Sequence, residues 1–255
     1  MRSRLLAGSI AEMTLVPWLW QISYSLCYIV LLLRGRLRVR VHSAVPKGPI
    51  LLCAKHVSSL DIPLFAYVCR KFRGDRPYFQ MGSFIGYRVL GPLSPILRRI
   101  GAFPVMRPKE TRRLMDLKGM DRREALECMR QFNDEAERTR QRVLKQGGCL
   151  IVFPEGTRNE SEVLPIKSKL EIASALTVLE EGHDVPIQIW PAVASFGPRR
   201  FFRRRIIVEL LPPFAVEGSV DDMTQKLEAI FQEWWRPAEI VEAVMSSPGV
   251  DKVKT

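Results

Sequence analysis

The pair of residues in this sequence best suited to acid–base chemistry is His56 and Asp61, a histidine followed five positions later by an aspartate. The histidine comes directly after Ile50-Leu51-Leu52-Cys53-Ala54-Lys55, so it stands at the end of a short apolar run that reads as a buried strand. A tight strand-to-helix turn through Val57-Ser58-Ser59-Leu60 would fold Asp61 back onto His56, with Ser58 or Ser59 placed to cap the following helix. In that arrangement the carboxylate accepts a hydrogen bond from one ring nitrogen, fixes the tautomer and leaves the other nitrogen as a general base. By itself the spacing fits a structural histidine as well as a catalytic one.

Two further elements carry groups that suit an anion. Gly101-Ala102-Phe103-Pro104-Val105-Met106-Arg107 is a strand-like piece ending in arginine, with Lys109 close behind. Phe153-Pro154-Glu155-Gly156-Thr157-Arg158 again follows a buried apolar run. Glycine at 156 permits a sharp turn with close backbone approach, while Thr157 and Arg158 offer a hydroxyl and a forked cation that match phosphate. Each element alone is also readable as a tight turn whose arginine pairs with a surface carboxylate.

The segments around these residues alternate between strand and helix patterns. Arginines alternate with Leu37, Val39 and Val41 from Arg36 to Val41, the period of two of a strand with one basic face. Gly148 to Phe153, Val185 to Val193 and Ile206 to Leu211 read as buried strands. Arg122 to Lys145 and Lys167 to Glu181 read as helices, and Ser219 can cap another that has Asp221 and Asp222 in its first turn and Pro237 as its stop. This alternation predicts an α/β fold with a mixed, largely parallel sheet flanked by helices. The expected organisation is an N-terminal membrane-associated helical segment over residues 1–34, an α/β domain over 35–215 and a C-terminal helical extension over 216–255.

Met13 to Leu33 is a run of 21 residues without a charge, carrying Trp18, Trp20, Tyr24 and Tyr28. About 20 residues suffice to cross a bilayer. Pro17, Gln21 and the spread of the aromatics fit a hairpin or a helix lying in one leaflet equally well, and a buried core helix is the bland alternative. For a spanning helix, Arg34, Arg36, Arg38 and Arg40 place the rest of the chain on the cytoplasmic side of the membrane. No small-residue cleavage pattern follows the run, so it reads as retained rather than as a signal peptide.

The formal charge of +12 predicts attraction to a polyanion, whether nucleic acid, membrane surface or phosphorylated substrate. The stretch Arg199-Arg200-Phe201-Phe202-Arg203-Arg204-Arg205 suits an anionic lipid surface, or is a solvated basic loop. No nucleic-acid-binding motif accompanies the charge. Five scattered cysteines without C-x-x-C or metal-ligand spacing indicate a reduced, cytosol-facing protein, with Cys27, Cys53 and Cys149 expected in buried packing roles. The sequence has no G-x-S-x-G elbow, P-loop or dinucleotide fingerprint.

Taken in order, the elements resemble the glycerophospholipid acyltransferase family, whose bacterial representatives are 1-acylglycerol-3-phosphate O-acyltransferases. His56 and Asp61 form its H-x4-D block, Gly101 to Arg107 look like its second block, Phe153 to Arg158 match its F-P-E-G-T-R block, and Val185 to Val193 with Pro191 look like its proline block. The resemblance implies His56 as base oriented by Asp61. It also implies an acceptor phosphate held by Arg107 and Arg158, with Glu155, Gly156 and Thr157 shaping the acceptor pocket, and neither metal nor cofactor. The expected reaction is transfer of a fatty acyl group from acyl-CoA or acyl carrier protein to the free hydroxyl of lysophosphatidic acid or a related lysophospholipid at a cytoplasmic membrane face. Glycerol 3-phosphate or a lyso-amino-acid lipid as acceptor, or a non-catalytic membrane-binding protein on the same fold, are the competing readings. Lys55 stands where the family often has asparagine, Asn159 where serine is common, and Lys169 near a position often held by glycine; Pro108 to Gly147 is longer and more charged than the usual connection.

Overall fold

The computed structural model describes residues 16–82, 94–107, 111–112, 115–116, 119–166, 169–198, 203–238 and 240–241. Its elements in chain order are α1 (Pro17–Arg34), β1 (Gly35–Val41), β2 (Ile50–Ala54), α2 (Asp61–Arg73), β3 (Tyr78–Gly82), α3 (Ser94–Arg99), β4 (Ala102–Val105), α4 (Arg122–Lys145), β5 (Cys149–Val152), α5 (Leu170–Glu180), β6 (Gln188–Phe196), β7 (Arg204–Leu210), β8 (Phe214–Ala215) and α6 (Val220–Trp234). Lys109, Lys167, Arg199 to Phe202 and the first residues of the apolar run lie outside the described residues.

Among the described residues the strands form one sheet in the order β1-β7-β6-β2-β5-β3-β4, with β8 on β6. The strands β2 to β6 run parallel, whereas β7 and β8 are antiparallel to β6 and β1 is parallel to β7. The sheet is therefore mixed and largely parallel, flanked by helices. Its parallel core explains the continuous apolar runs, because strands covered on both faces have no polar side to show.

The pleat of β2 sorts its side chains between two cores. Ile50, Leu52 and Ala54 join Leu64, Phe65 and Val68 of α2, while Leu51 and Cys53 join Val143, Ile172 and Phe231 of α4, α5 and α6. Pro191 sits within the central strand β6 without breaking it. Ile189 pairs with Phe214 of β8 and Ala192 with Leu210 of β7, so the proline occupies the junction where β6 changes partner, and its carbonyl accepts from Leu211 N at 3.0 Å.

Helix ends follow local chemistry. Asp121 caps α4 in a reciprocal capping box with Glu124, and Ser219 Oγ accepts from Asp222 N at the start of α6, as its position predicts. At α2 neither Ser58 nor Ser59 supplies the side-chain cap that their positions suggested; the N-cap is Leu60, and Asp61, the first helical residue, turns its carboxylate back onto the preceding loop.

The helix α1 packs on α2 and buries only Trp20 and Leu31. Trp18, Ile22, Leu26, Ile29 and Leu33 stay exposed, Trp18 at 65% and Leu33 at 58%, which rules out a buried core helix. No helix among the described residues is long and apolar enough to cross a membrane. Of the cysteines expected to be buried, Cys53 and Cys149 are, whereas Cys27 is half-exposed on α1 because only one face of that helix is covered.

Candidate active site

The site forms where β2 and β5 end side by side. Their parallel register pairs Cys53 with Val152, so the residues that leave the two strands, Lys55-His56 and Phe153 to Arg158, emerge together at the carboxyl edge of the sheet, where open α/β sheets place their ligands.

Asp61 organises the first loop. Its Oδ2 accepts three hydrogen bonds, from His56 Nδ1 at 2.8 Å, Val57 N at 2.7 Å and Ser58 N at 2.8 Å. The carboxylate is fully buried while the imidazole keeps 19% of its surface. Donation by Nδ1 leaves Nε2 as the ring nitrogen with an available lone pair. Phe153 stacks on the imidazole at 4.3 Å between ring centres and holds its plane.

The second loop is locked to the first. Gly156 N donates to Phe153 O, closing a tight turn with Pro154 at its second position, and Gly156 takes the left-handed φ of 69° that disfavours any other residue. Asn159 N donates to His56 O at 2.9 Å. Arg107, at the end of β4, donates to Gly156 O at 2.6 Å, so the second block braces the third.

Glu155 turns inward rather than toward the surface. Its Oε2 accepts from His56 N at 3.1 Å and its Oε1 from Leu164 N at 2.8 Å, with Lys55 Nζ 3.7 Å away. Neither Lys55 nor Glu155 has any exposed surface. Lys55 Nζ also donates to Asn159 O at 2.9 Å and lies 4.6 Å over the ring of Trp235. Burial pushes the Glu155 carboxyl above its ordinary range despite the hydrogen bonds and Lys55 charge that oppose it. Burial likewise lowers the Lys55 ammonium, against the pull of Glu155 and Asp61. A desolvated ion pair thus underlies the histidine, holding its backbone nitrogen.

An open cleft of about 560 Å³ adjoins the loops, lined by Val57 to Leu60 and by Arg158 and Glu160. The structure brings His56, Asp61, Glu155 and Arg158 into one neighbourhood, leaves Thr157 exposed on the connecting loop, and directs Arg107 at the Gly156 carbonyl. Sequence reasoning gave Lys55 no role beyond a departure from the family pattern. Strand parity was the missed signal: Lys55 continues the Leu51 and Cys53 face, which is buried under α4 to α6. Arg34 and Arg204 also line the cleft, and no local pattern announces that, because they are 170 positions apart.

A histidine held by a buried carboxylate beside a basic cleft, on a mixed α/β sheet, is an arrangement whose free ring nitrogen can serve as a general base. The chain belongs to the Acyltransferase family, whose model matches residues 36–190, more than half of its length. Among solved structures it is similar to the crystal structure of the 1-acyl-sn-glycerophosphate acyltransferase PlsC from Thermotoga maritima, at a TM-score of 0.55 and 17% identity over 90% of this chain and 81% of that one. That likeness is one of fold. None of the curated proteins matches the sequence.

Proposed function

We propose that the protein moves a fatty acyl group from an acyl thioester, acyl-CoA or acyl carrier protein, onto the free hydroxyl of lysophosphatidic acid or a related lysophospholipid in phospholipid biosynthesis. The observation that carries the reading is the 2.8 Å contact from His56 Nδ1 to buried Asp61, which leaves Nε2 as a base next to the cleft bearing Arg158. In the reaction, His56 Nε2 takes the hydroxyl proton as the acceptor oxygen bonds to the thioester carbonyl carbon. The tetrahedral intermediate then collapses, the carbon–sulfur bond breaks, and the departing thiolate recovers the proton from the imidazolium. Asp61 stabilises the imidazolium between these steps. Arg158 binds the acceptor phosphate. Arg107 acts through Gly156, whose carbonyl it holds, and Glu155 positions the backbone of His56.

The exposed apolar face of α1, uncharged up to Arg34, supports membrane association in one leaflet, with the α/β domain at the cytoplasmic surface. Purified protein should be incubated with labelled acyl thioester and a panel of lysolipids, glycerol 3-phosphate and a lyso-amino-acid lipid, and the products identified. A diacylated phospholipid formed with stoichiometric release of free thiol is the expected result. Thiol release that does not depend on any acceptor would contradict the assignment.

A further inference from the structure

The cleft beside His56 has walls from four separate parts of the chain. Ser58 to Leu60 and the loop residues Arg158 and Glu160 line it together with Val30 and Arg34 of α1 and Arg204 of β7. The arginines converge because β1 and β7 run against the parallel strands. Gly35 pairs with Arg204, so the amino ends of β1 and β7 lie at the same sheet edge as the carboxyl ends of β2 and β5.

Charge is what distinguishes this cleft. Three guanidinium groups and the Glu160 carboxylate line it, so 3 − 1 leaves two positive charges. A phosphate monoester carries about −1.5 to −2 at neutral pH, since its second ionisation lies near 6. A phosphodiester headgroup carries one negative charge on its phosphate. Glu160 Oε1 lies 3.3 Å from Arg204 NH1, with the glutamate 57% exposed and the arginine 24%. An exposed pair of this kind is weak and easily exchanged. Position adds a second argument: Arg34 is the last residue of α1, and the exposed Leu26, Ile29, Val30 and Leu33 lie within the two turns before it. A lysolipid lying alongside α1 would have its tail on that apolar surface when its headgroup meets the arginines.

Building on the acyltransferase reading above, we propose that Arg34 and Arg204 join Arg158 as an acceptor-headgroup subsite selective for a phosphate monoester, and that Glu160 is the latch the phosphate displaces from Arg204. Arg34 and Arg204 are specificity-determining residues; they take no part in the chemical step.

The test is kcat/KM for a phosphate-monoester lysolipid against a phosphodiester lysolipid, together with calorimetric binding of a water-soluble short-chain lysophosphatidate. Arg34→Gln and Arg204→Gln should each lower the monoester-to-diester ratio about tenfold, the scale of one lost charge-assisted contact. Glu160→Gln should tighten short-chain lysophosphatidate binding about two- to fivefold, because the competing carboxylate is gone. An unchanged ratio in both arginine variants, or equal losses on both acceptors that track a fall in vesicle partitioning, would overturn the proposal and make these arginines general membrane contacts. Inorganic phosphate binding as tightly as the lysolipid would overturn it too, by showing a site for free phosphate. Binding reads the subsite without turnover. A wild-type protein that transfers no acyl group, yet binds short-chain lysophosphatidate in an Arg34- and Arg204-dependent way, would remove the acyltransferase reading and keep the subsite.

Discussion

Two regions meet at the carboxyl edge of the sheet and are built on opposite terms. Lys55, His56, Asp61 and Glu155, the proposed base and its supports, are buried or nearly so, and the hydrogen bonds they make with one another and with Val57 and Asn159 fix backbone as well as side chains. The cleft next to them is lined by Arg34, Arg158 and Glu160, all exposed, and the ion pair between Arg204 and Glu160 there is loose, at 3.3 Å with the glutamate in solvent. On the function proposed above, the difference teaches how one site can divide its labour. Proton transfer requires a ring fixed within a fraction of an ångström, and low-dielectric surroundings strengthen the contacts that fix it. A charged headgroup needs cations that water can leave and a substrate can enter, and these lose little by waiting in solvent.

If that division is right, substitutions in the buried half should strike turnover or stability, and those in the cleft should strike acceptor use. Among the groups that support His56, the largest effect is expected at Asp61. Asp61→Asn keeps the volume but removes the charge that three N–H groups converge on, and it can favour the wrong imidazole tautomer. The equivalent change in serine proteases costs about 10⁴ in turnover, so kcat should fall by at least roughly 10² with every acceptor. A loss confined to phosphorylated acceptors would erase the distinction between the regions.

Next in size is Lys55→Met, which leaves Glu155 buried without its ammonium partner. Breaking a buried pair costs about 3–5 kcal/mol. The 3.7 Å separation and the two backbone donors that stay on Glu155 place this case at the lower end, about 3 kcal/mol at neutral pH. The sign of its pH dependence follows from burial raising the Glu155 carboxyl. A folded-state carboxyl above its unfolded value binds protons preferentially, so its stabilising contribution is present below the unfolded value and is lost as pH rises through the folded one. Removing Lys55 strengthens that shift. Denaturant unfolding should therefore show the smallest deficit near pH 4 to 5 and a growing one toward pH 8; a deficit independent of pH would mean that Glu155 does not respond to Lys55.

The smallest effect is expected in the cleft. Arg158→Ala should lower kcat/KM for a phosphorylated acceptor by about 10- to 100-fold, mainly through KM, with thermal stability nearly unchanged because the side chain is exposed. Steady-state kinetics on acceptors with and without phosphate check this. Equal losses on both would show that Arg158 does not read the phosphate.

Much of this arrangement was legible beforehand, for physical reasons that also mark where legibility ends. Ile50–Ala54 and Arg122–Lys145 are found at the expected bounds because a doubly covered strand and a long amphipathic helix leave strong periodic signals. His56, Asp61 and the loop ending in Arg158 were legible as local motifs on strand ends. The short, half-buried β3 carries no such signal and was not anticipated. The inward turn of Glu155 depends on Leu164 N and His56 N meeting it in space, and the place of Arg204 depends on its register with Gly35. Both are long-range facts that no window of sequence contains.

The central claim is that His56 is the base for acyl transfer, and the most direct measurement is the turnover of His56→Ala protein shown by circular dichroism and denaturant unfolding to be folded. The imidazole is partly exposed and Asp61 Oδ2 keeps its bonds to Val57 N and Ser58 N, so the fold should survive the change. With labelled acyl thioester and lysophosphatidic acid, product formation should fall by at least about 10³-fold, the scale on which a positioned base accelerates proton transfer. Near-normal acyl transfer by folded His56→Ala protein would contradict the account at its root.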